Sequence, residues 1–220
     1  MTLFAGQGLV CVRGERMVFA GLGFVVPSGG ALLLTGPNGS GKSSLLRVLA
    51  GLLPPAAGSL AWDGEPIVKD RAAHRARLHF VGHQDALKPL LTVTETLAFW
   101  SGLRTDTPKL DAALSRFRLS PLAATQCRLL SAGQRHRLSL ARLVASPAAL
   151  WLLDEPTTGL DRDAVADLEA AIAGHRADGG IAIVSTHTPI ALPGADELNM
   201  AAFAPRQAMA AETFSNDEWV

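Results

Sequence analysis

The octapeptide Gly36-Pro37-Asn38-Gly39-Ser40-Gly41-Lys42-Ser43 constrains this chain more than any other feature. It fits GxxxxGK[ST] and sits between a short apolar run, Ala31–Leu34, and a helical pattern, Lys42–Leu49. Glycines at those spacings let the backbone curl so that several N–H groups point at one anion, at the positive end of a helix dipole. Gly36 to Ser44 then form a phosphate cradle, in which Lys42 reaches the β- and γ-phosphates and the Ser43 hydroxyl is placed for Mg²⁺. The ligand this predicts is a nucleoside triphosphate.

The rest of the chain reads as the scaffold for such a loop. Ala31–Leu34, Leu78–Val81, Ala149–Leu153 and Ile181–Ser185 are strand-sized and apolar on both faces, the mark of a parallel sheet covered by helices. Helical patterns cover Lys42–Leu49, Val93–Leu103, Arg135–Val144 and Arg162–Ala173. Gly58–Val68, with Asp63-Gly64 inside it, predicts an antiparallel hairpin. Between about 85 and 128 no strand pattern is visible, so that stretch reads as an inserted helical lobe. The expected fold class is α/β, with a mostly parallel sheet, an antiparallel β hairpin subdomain and that lobe. A single domain over 1–220 is expected, with 1–84 and 143–220 as nucleotide-binding core and about 85–142 as the lobe.

Composition excludes several function classes. Twenty Lys+Arg against twenty Asp+Glu leave no basic face for nucleic acid, so no nucleic-acid partner is expected. No run approaches the roughly 18 apolar residues that span a bilayer. The first residues lack a basic then apolar leader pattern. Cys11 and Cys127 form no CxxC pair and read as reduced, buried thiols in a cytosolic protein.

Leu150-Trp151-Leu152-Leu153-Asp154-Glu155 is a buried strand ending in two carboxylates, at the sheet end where α/β ligands sit. Alone it could be a solvated acidic strand end before the Pro156 turn. Beside Lys42 it becomes chemistry: Asp154 suits Mg²⁺, directly or through water, and Glu155 suits a general base. Leu130-Ser131-Ala132-Gly133-Gln134 precedes a basic helix start and supplies an N-cap serine. With these residues the chain resembles the nucleotide-binding domain of ABC ATPases, a P-loop NTPase fold with a RecA-like core. The family's signature is LSGGQ, and Ala132 replaces its first glycine.

The resemblance implies further roles. Ser131, Gly133 and Gln134 would close over the γ-phosphate held by a second subunit, in a functional ATP-sandwich homodimer. Gln84 matches the Q-loop glutamine, a Mg²⁺ ligand and sensor; Asp161, in Thr158-Gly159-Leu160-Asp161, matches the D-loop; His187 matches the switch histidine at the γ-phosphate. The family commonly stacks adenine on an aromatic residue at the position that here falls on Arg13. A guanidinium plane can stack on a base, so Arg13 is the expected platform, with Phe19 the fallback. His74, His79 and His175 lack metal-ligand spacing, and His83 and His136 flank motif residues without an assigned role.

The intact set implies an ATP hydrolase of the translocase kind, docked on separate membrane subunits. Leu87, Leu90, Leu91 and Phe99 would line the docking groove or belong to the lobe core. Local marks resemble the ATP-binding subunits of haem exporters of bacterial cytochrome c maturation: the Arg13–Arg16 run, Val81-Gly82-His83-Gln84, the LSAGQ variant, and only 33 residues after His187. That resemblance implies CcmB-type and CcmC-type partners, the cytoplasmic face of the bacterial inner membrane, and hydrolysis that frees a haem-loaded periplasmic chaperone. The alternatives are the ATPase of another small ABC exporter or a non-transport ABC ATPase. A small-molecule P-loop kinase would lack the signature, the D-loop and the switch histidine.

Overall fold

Strands apolar on both faces need cover on both sides, and two layers supply it here. The computed structural model describes residues 2–82 and 85–205. β1 (Leu3–Arg13) and β2 (Arg16–Pro27) pair antiparallel, and β3 (Ala31–Thr35) runs through the phosphate loop into α1 (Lys42–Leu49). β4 (Ala57–Trp62) and β5 (Glu65–Pro66) form a hairpin, followed by α2 (Arg71–Ala76) and β6 (Leu78–Val81). Next come α3 (Val93–Gly102), α4 (Leu110–Arg116) and α5 (Ala132–Ala145), and then β7 (Leu150–Asp154), α6 (Arg162–Ala177), β8 (Ile181–Ser185) and β9 (Asp196–Asn199).

The strands form two sheets of opposite character. One has five parallel strands in the order β6-β7-β8-β3-β9; the other has four antiparallel strands in the order β2-β1-β4-β5. Side chains alternate across the parallel sheet. Leu150, Leu152, Ile181 and Ile183 pack with α1 and the antiparallel sheet, around Phe4, Phe19 and Leu45. Trp151, Leu153, Ala182 and Val184 face the other way, into a core shared with α3, α4, α5 and α6. Burying each such Leu or Ile is worth about 1.5–3 kcal/mol, so β7 and β8 are anchored from both sides and hold their C-terminal ends still.

The expected hairpin is present but belongs to a larger sheet. Asp63 (φ 52°) and Gly64 (φ 81°) make its turn, and β1 pairs with β4 on the other edge. α5 begins three residues before the sequence pattern did, because Ser131 caps it reciprocally with Gln134: the Gln134 N–H donates to Ser131 Oγ (3.2 Å) and the Ser131 N–H to Gln134 Oε1 (2.8 Å). Residues 85–128 hold helices, short 3₁₀ turns and an isolated bridge between Thr92 and Gln126.

Candidate active site

The phosphate loop is shaped to receive an anion. Gly41 caps α1 at φ 101°, and a Cβ there would stand 2.7 Å from Val18, so neither the backbone angle nor the space admits a side chain. No side chain caps the helix, which leaves its first-turn amides without intrahelical partners. The buried Ser40 hydroxyl has no hydrogen-bond partner among the described residues. Lys42, 7% exposed, donates from Nζ to the carbonyls of Gly36 (2.8 Å) and Pro37 (3.3 Å), so its charge is held on the concave loop. Uncapped amides, an orphan hydroxyl and a captive ammonium fit a polyphosphate.

The ends of β7 and β8 complete the site. In register, Asp154 lies beside Ser185. Ser185 Oγ donates to Asp154 Oδ1 at 2.7 Å, and Ser43 Oγ donates to the same oxygen at 3.0 Å. Loop and strand end therefore meet on one carboxylate atom. A hydroxyl and a carboxylate are hard oxygen donors of the kind Mg²⁺ takes alongside substrate phosphates. Among the described residues, no group of three or more His, Cys, Asp or Glu is placed to hold a metal ion without such help.

Glu155 follows in a left-handed conformation, φ 52°, unusual for a residue with a side chain. Its N–H is pinned by the Ser185 carbonyl (3.0 Å) and by Ser185 Oγ (3.1 Å). Its Oε2 accepts from the His187 N–H (3.1 Å) and from Nδ1 of the same residue (2.7 Å). Since a carboxylate only accepts, Nδ1 carries a proton, and Nε2 is left for another partner. Thr157 and Thr188 hydroxyls, 2.6 Å apart, brace the two loops behind the pair.

An open cleft at the phosphate loop is walled by Arg13, Arg16 and Val18 on one side and reaches Glu155 on the other. Phe19 is fully buried in the core behind it, which removes it as a base platform. Asn38, Gly39, Ser43 and Ser44 line the same cleft. Ser131, Gly133, Gln134 and Asp161 do not line it in their own chain; Asp161 instead caps α6, accepting from the Ala164 N–H at 2.8 Å. The Gln84 assignment lies outside the described residues, as does His83.

Sequence reading missed Ser185, Arg16 and Val18 as site residues. The signal for Ser185 was a hydroxyl closing an otherwise apolar strand next to the Asp154 strand. His74, His79 and His175 each bond a backbone carbonyl, of Leu49 (2.8 Å), Ser146 (3.1 Å) and Ile181 (3.2 Å), and burial lowers the basicity of all three. Farther out, Leu87 is partly buried and lines a groove with Pro89, Arg128 and Arg135, whereas Leu90 (72%) and Phe99 (46%) are exposed and do not line it.

Comparisons with known proteins identify the family. The family model described as ABC transporter matches residues 19–158. A cytochrome c biogenesis ATP-binding export protein CcmA from Rhodospirillum rubrum is 57% identical over 217 residues, 98% of this chain and 93% of the relative. A protein of the same name from Paramagnetospirillum magneticum is 56% identical over 206 residues, covering 91% of this chain and 95% of its own length. In fold, a putative ABC transporter ATP-binding protein from Pyrococcus furiosus superposes with a TM-score of 0.81 at 21% identity, covering 92% of this chain and all of that one. The chain belongs to the ABC transporter family and, within it, to the cytochrome c biogenesis ATP-binding export proteins.

Proposed function

We propose that this chain binds and hydrolyses ATP as the engine of the haem exporter of cytochrome c biogenesis, and that hydrolysis releases a haem-loaded periplasmic chaperone. The observation that carries the reading is the convergence, at one sheet edge, of the Lys42 loop, the Ser43–Asp154–Ser185 contact and the Glu155–His187 pair. Its biological setting is drawn from relatives named as cytochrome c biogenesis export proteins.

Each residue has a chemical task. Lys42 and the loop amides hold the β- and γ-phosphates and oppose the charge that spreads over the γ-oxygens during transfer. Ser43 and Asp154, with Gln84, would hold Mg²⁺, which neutralises phosphate charge when bound. Glu155 takes a proton from the attacking water, a role worth about 10²–10⁴ in rate. His187 orients that carboxylate through Nδ1–H and, with the ring doubly protonated, donates from Nε2 to a γ-phosphate oxygen. Arg13 supplies the flat cation under the base.

Ser131, Gly133, Gln134 and Asp161 serve a second copy. They lie off their own cleft, and the capped start of α5 presents helix-dipole and backbone donors to a partner's γ-phosphate. Closure is then favoured only while that phosphate is present, which gives ATP the differential affinity a switch requires. One ATPase unit, with core 1–84 and 143–220 and lobe about 85–142, docks through the Leu87 groove and the exposed Leu90 and Phe99 onto membrane subunits of the CcmB and CcmC types, at the cytoplasmic face of the inner membrane. Among the described residues no helix is long and apolar enough to cross a membrane, so attachment would be peripheral. Fractionating host cells tests this: the protein should sediment with membranes and be released when the CcmB-type subunit is deleted. Sedimentation unchanged by that deletion would point to another partner.

A further inference from the structure

One imidazole outside the phosphate-binding motifs has both ring nitrogens engaged, and its partners lie on two different segments. His136 stands in the second turn of α5, two residues beyond Gln134 of the cap. Its side chain is 11% exposed. Nε2 lies 2.9 Å from the Pro156 carbonyl, which can only accept, so the ring donates there. Nδ1 lies 3.2 Å from Asp85 Oδ1, which also only accepts, so this second bond forms when the ring carries a proton on both nitrogens. Pro156 directly follows Glu155, and Asp85 directly follows Gln84 at the entrance to the lobe.

A second contact reinforces the first arm. A Cβ on Gly133 would stand 3.1 Å from the Gly159 carbonyl oxygen. The start of α5 therefore rests on the loop after Glu155 at two points, one on each side of the Gln134 cap. Glu155 itself keeps φ 52°, a conformation that persists only where its surroundings over-determine it. Ser185 fixes its amide from the strand side. From the lobe side, the loop it leads into is held by His136. The phosphate-loop cleft is not lined by His136, so the ring does not touch phosphates held by its own chain, and its direct tie to that chemistry is the loop after Glu155.

We propose that His136 is a positioning residue for Glu155. Its Nε2–H···Pro156 bond fastens α5 to the loop behind the carboxylate. Its contact with Asp85 ties the same ring to the lobe entrance, so a displacement of α5 is carried to Glu155 rather than lost in the loop. The proposal rests on the ATP-hydrolysing reading and adds to it a mechanical link between the signature helix and the catalytic carboxylate of the same chain.

Three substitutions separate the two arms. Gln places its amide near the position of Nε2 and keeps a donor for Pro156, Asn reaches only the position of Nδ1, and Ala keeps neither. The purified full chain is assayed for steady-state ATP hydrolysis, for binding of a fluorescent ATP analogue and for melting temperature. H136A and H136N should lose at least tenfold in kcat with analogue affinity within twofold of wild type, and H136Q should keep at least half of the wild-type kcat. Wild-type turnover in H136A overturns the proposal. So does a loss of kcat in H136Q equal to that in H136N, because a merely structural ring would fail alike in both. A wild-type chain that binds the analogue but does not hydrolyse ATP overturns the parent reading and this one with it.

Discussion

Ser185→Ala is the sharpest single test of how the two carboxylates are held. The hydroxyl is fully buried, donates to Asp154 Oδ1 at 2.7 Å and accepts from the Glu155 N–H at 3.1 Å. Removing it leaves the Ser43 bond to Asp154 and the backbone bond from Glu155 to the Ser185 carbonyl in place. What is lost is one hydrogen bond to a charged group, worth about 1.5–3 kcal/mol, and the side-chain half of a shared bond from the Glu155 N–H, with almost no change in packed volume. For a chain of this size about 1 kcal/mol shifts the melting temperature by about 2–4 °C, so the variant should melt about 3–12 °C lower in calorimetry. Turnover should fall about tenfold, equivalent to ~1.4 kcal/mol of transition-state stabilisation, because Asp154 and Glu155 lose their shared anchor. Ser185→Cys, a weaker donor of similar size, should fall between. A variant that melts within 1 °C of wild type and hydrolyses ATP normally would refute the anchoring argument.

Other expectations follow from the same geometry. Glu155→Gln should still bind ATP and accumulate as a dimer on a sizing column, with turnover down at least tenfold; normal hydrolysis would remove Glu155 from the base role. Arg13→Ala should weaken ATP binding about two- to fivefold, the worth of an exposed cation–π contact of about 0.5–1 kcal/mol, measured by calorimetric titration; unchanged affinity would move base recognition elsewhere on the wall. Burial, with the Arg104 charge next in importance, lowers His79 to about 3. The unfolded chain therefore takes up a proton below about pH 6.5 that the folded chain refuses, so this residue makes stability fall by about 1.4 kcal/mol per pH unit from 6.5 toward 3. His79→Gln keeps a donor for the Ser146 carbonyl and should flatten that acid limb in urea titrations at pH 6.5 and 5; equal slopes in the two proteins would show that His79 is not the group responsible.

The parallel core and most of the site were readable because their signals are local. The phosphate loop, the β7 end and the Ser131 cap each occupy fewer than ten consecutive residues. β1 and β2 escaped the sequence reading for a definite reason. Inward positions on β1 switch from Phe4 and Gly6 to Leu9 and Cys11 across Gly8 (φ 60°), and on β2 from Phe19 to Leu22 and Phe24 across Gly21 (φ 69°). A bulge that flips the parity of the buried face erases the period-two pattern. β9 was invisible because Asp-Glu-Leu-Asn is an edge strand with exposed polar residues. The Ser185 anchor and the His136 link join segments at least 20 residues apart, and no spacing rule encodes them. Phe19 looked available for a base until the fold placed it in the core.

The central claim is that ATP turnover by this chain drives a step of cytochrome c biogenesis. Deleting the gene in its host and staining membranes for covalently bound haem tests that directly, with wild type and Lys42→Ala supplied in turn. The account predicts that c-type cytochromes vanish and return only with wild type. Their persistence in the deletion strain, or their rescue by Lys42→Ala, would contradict it.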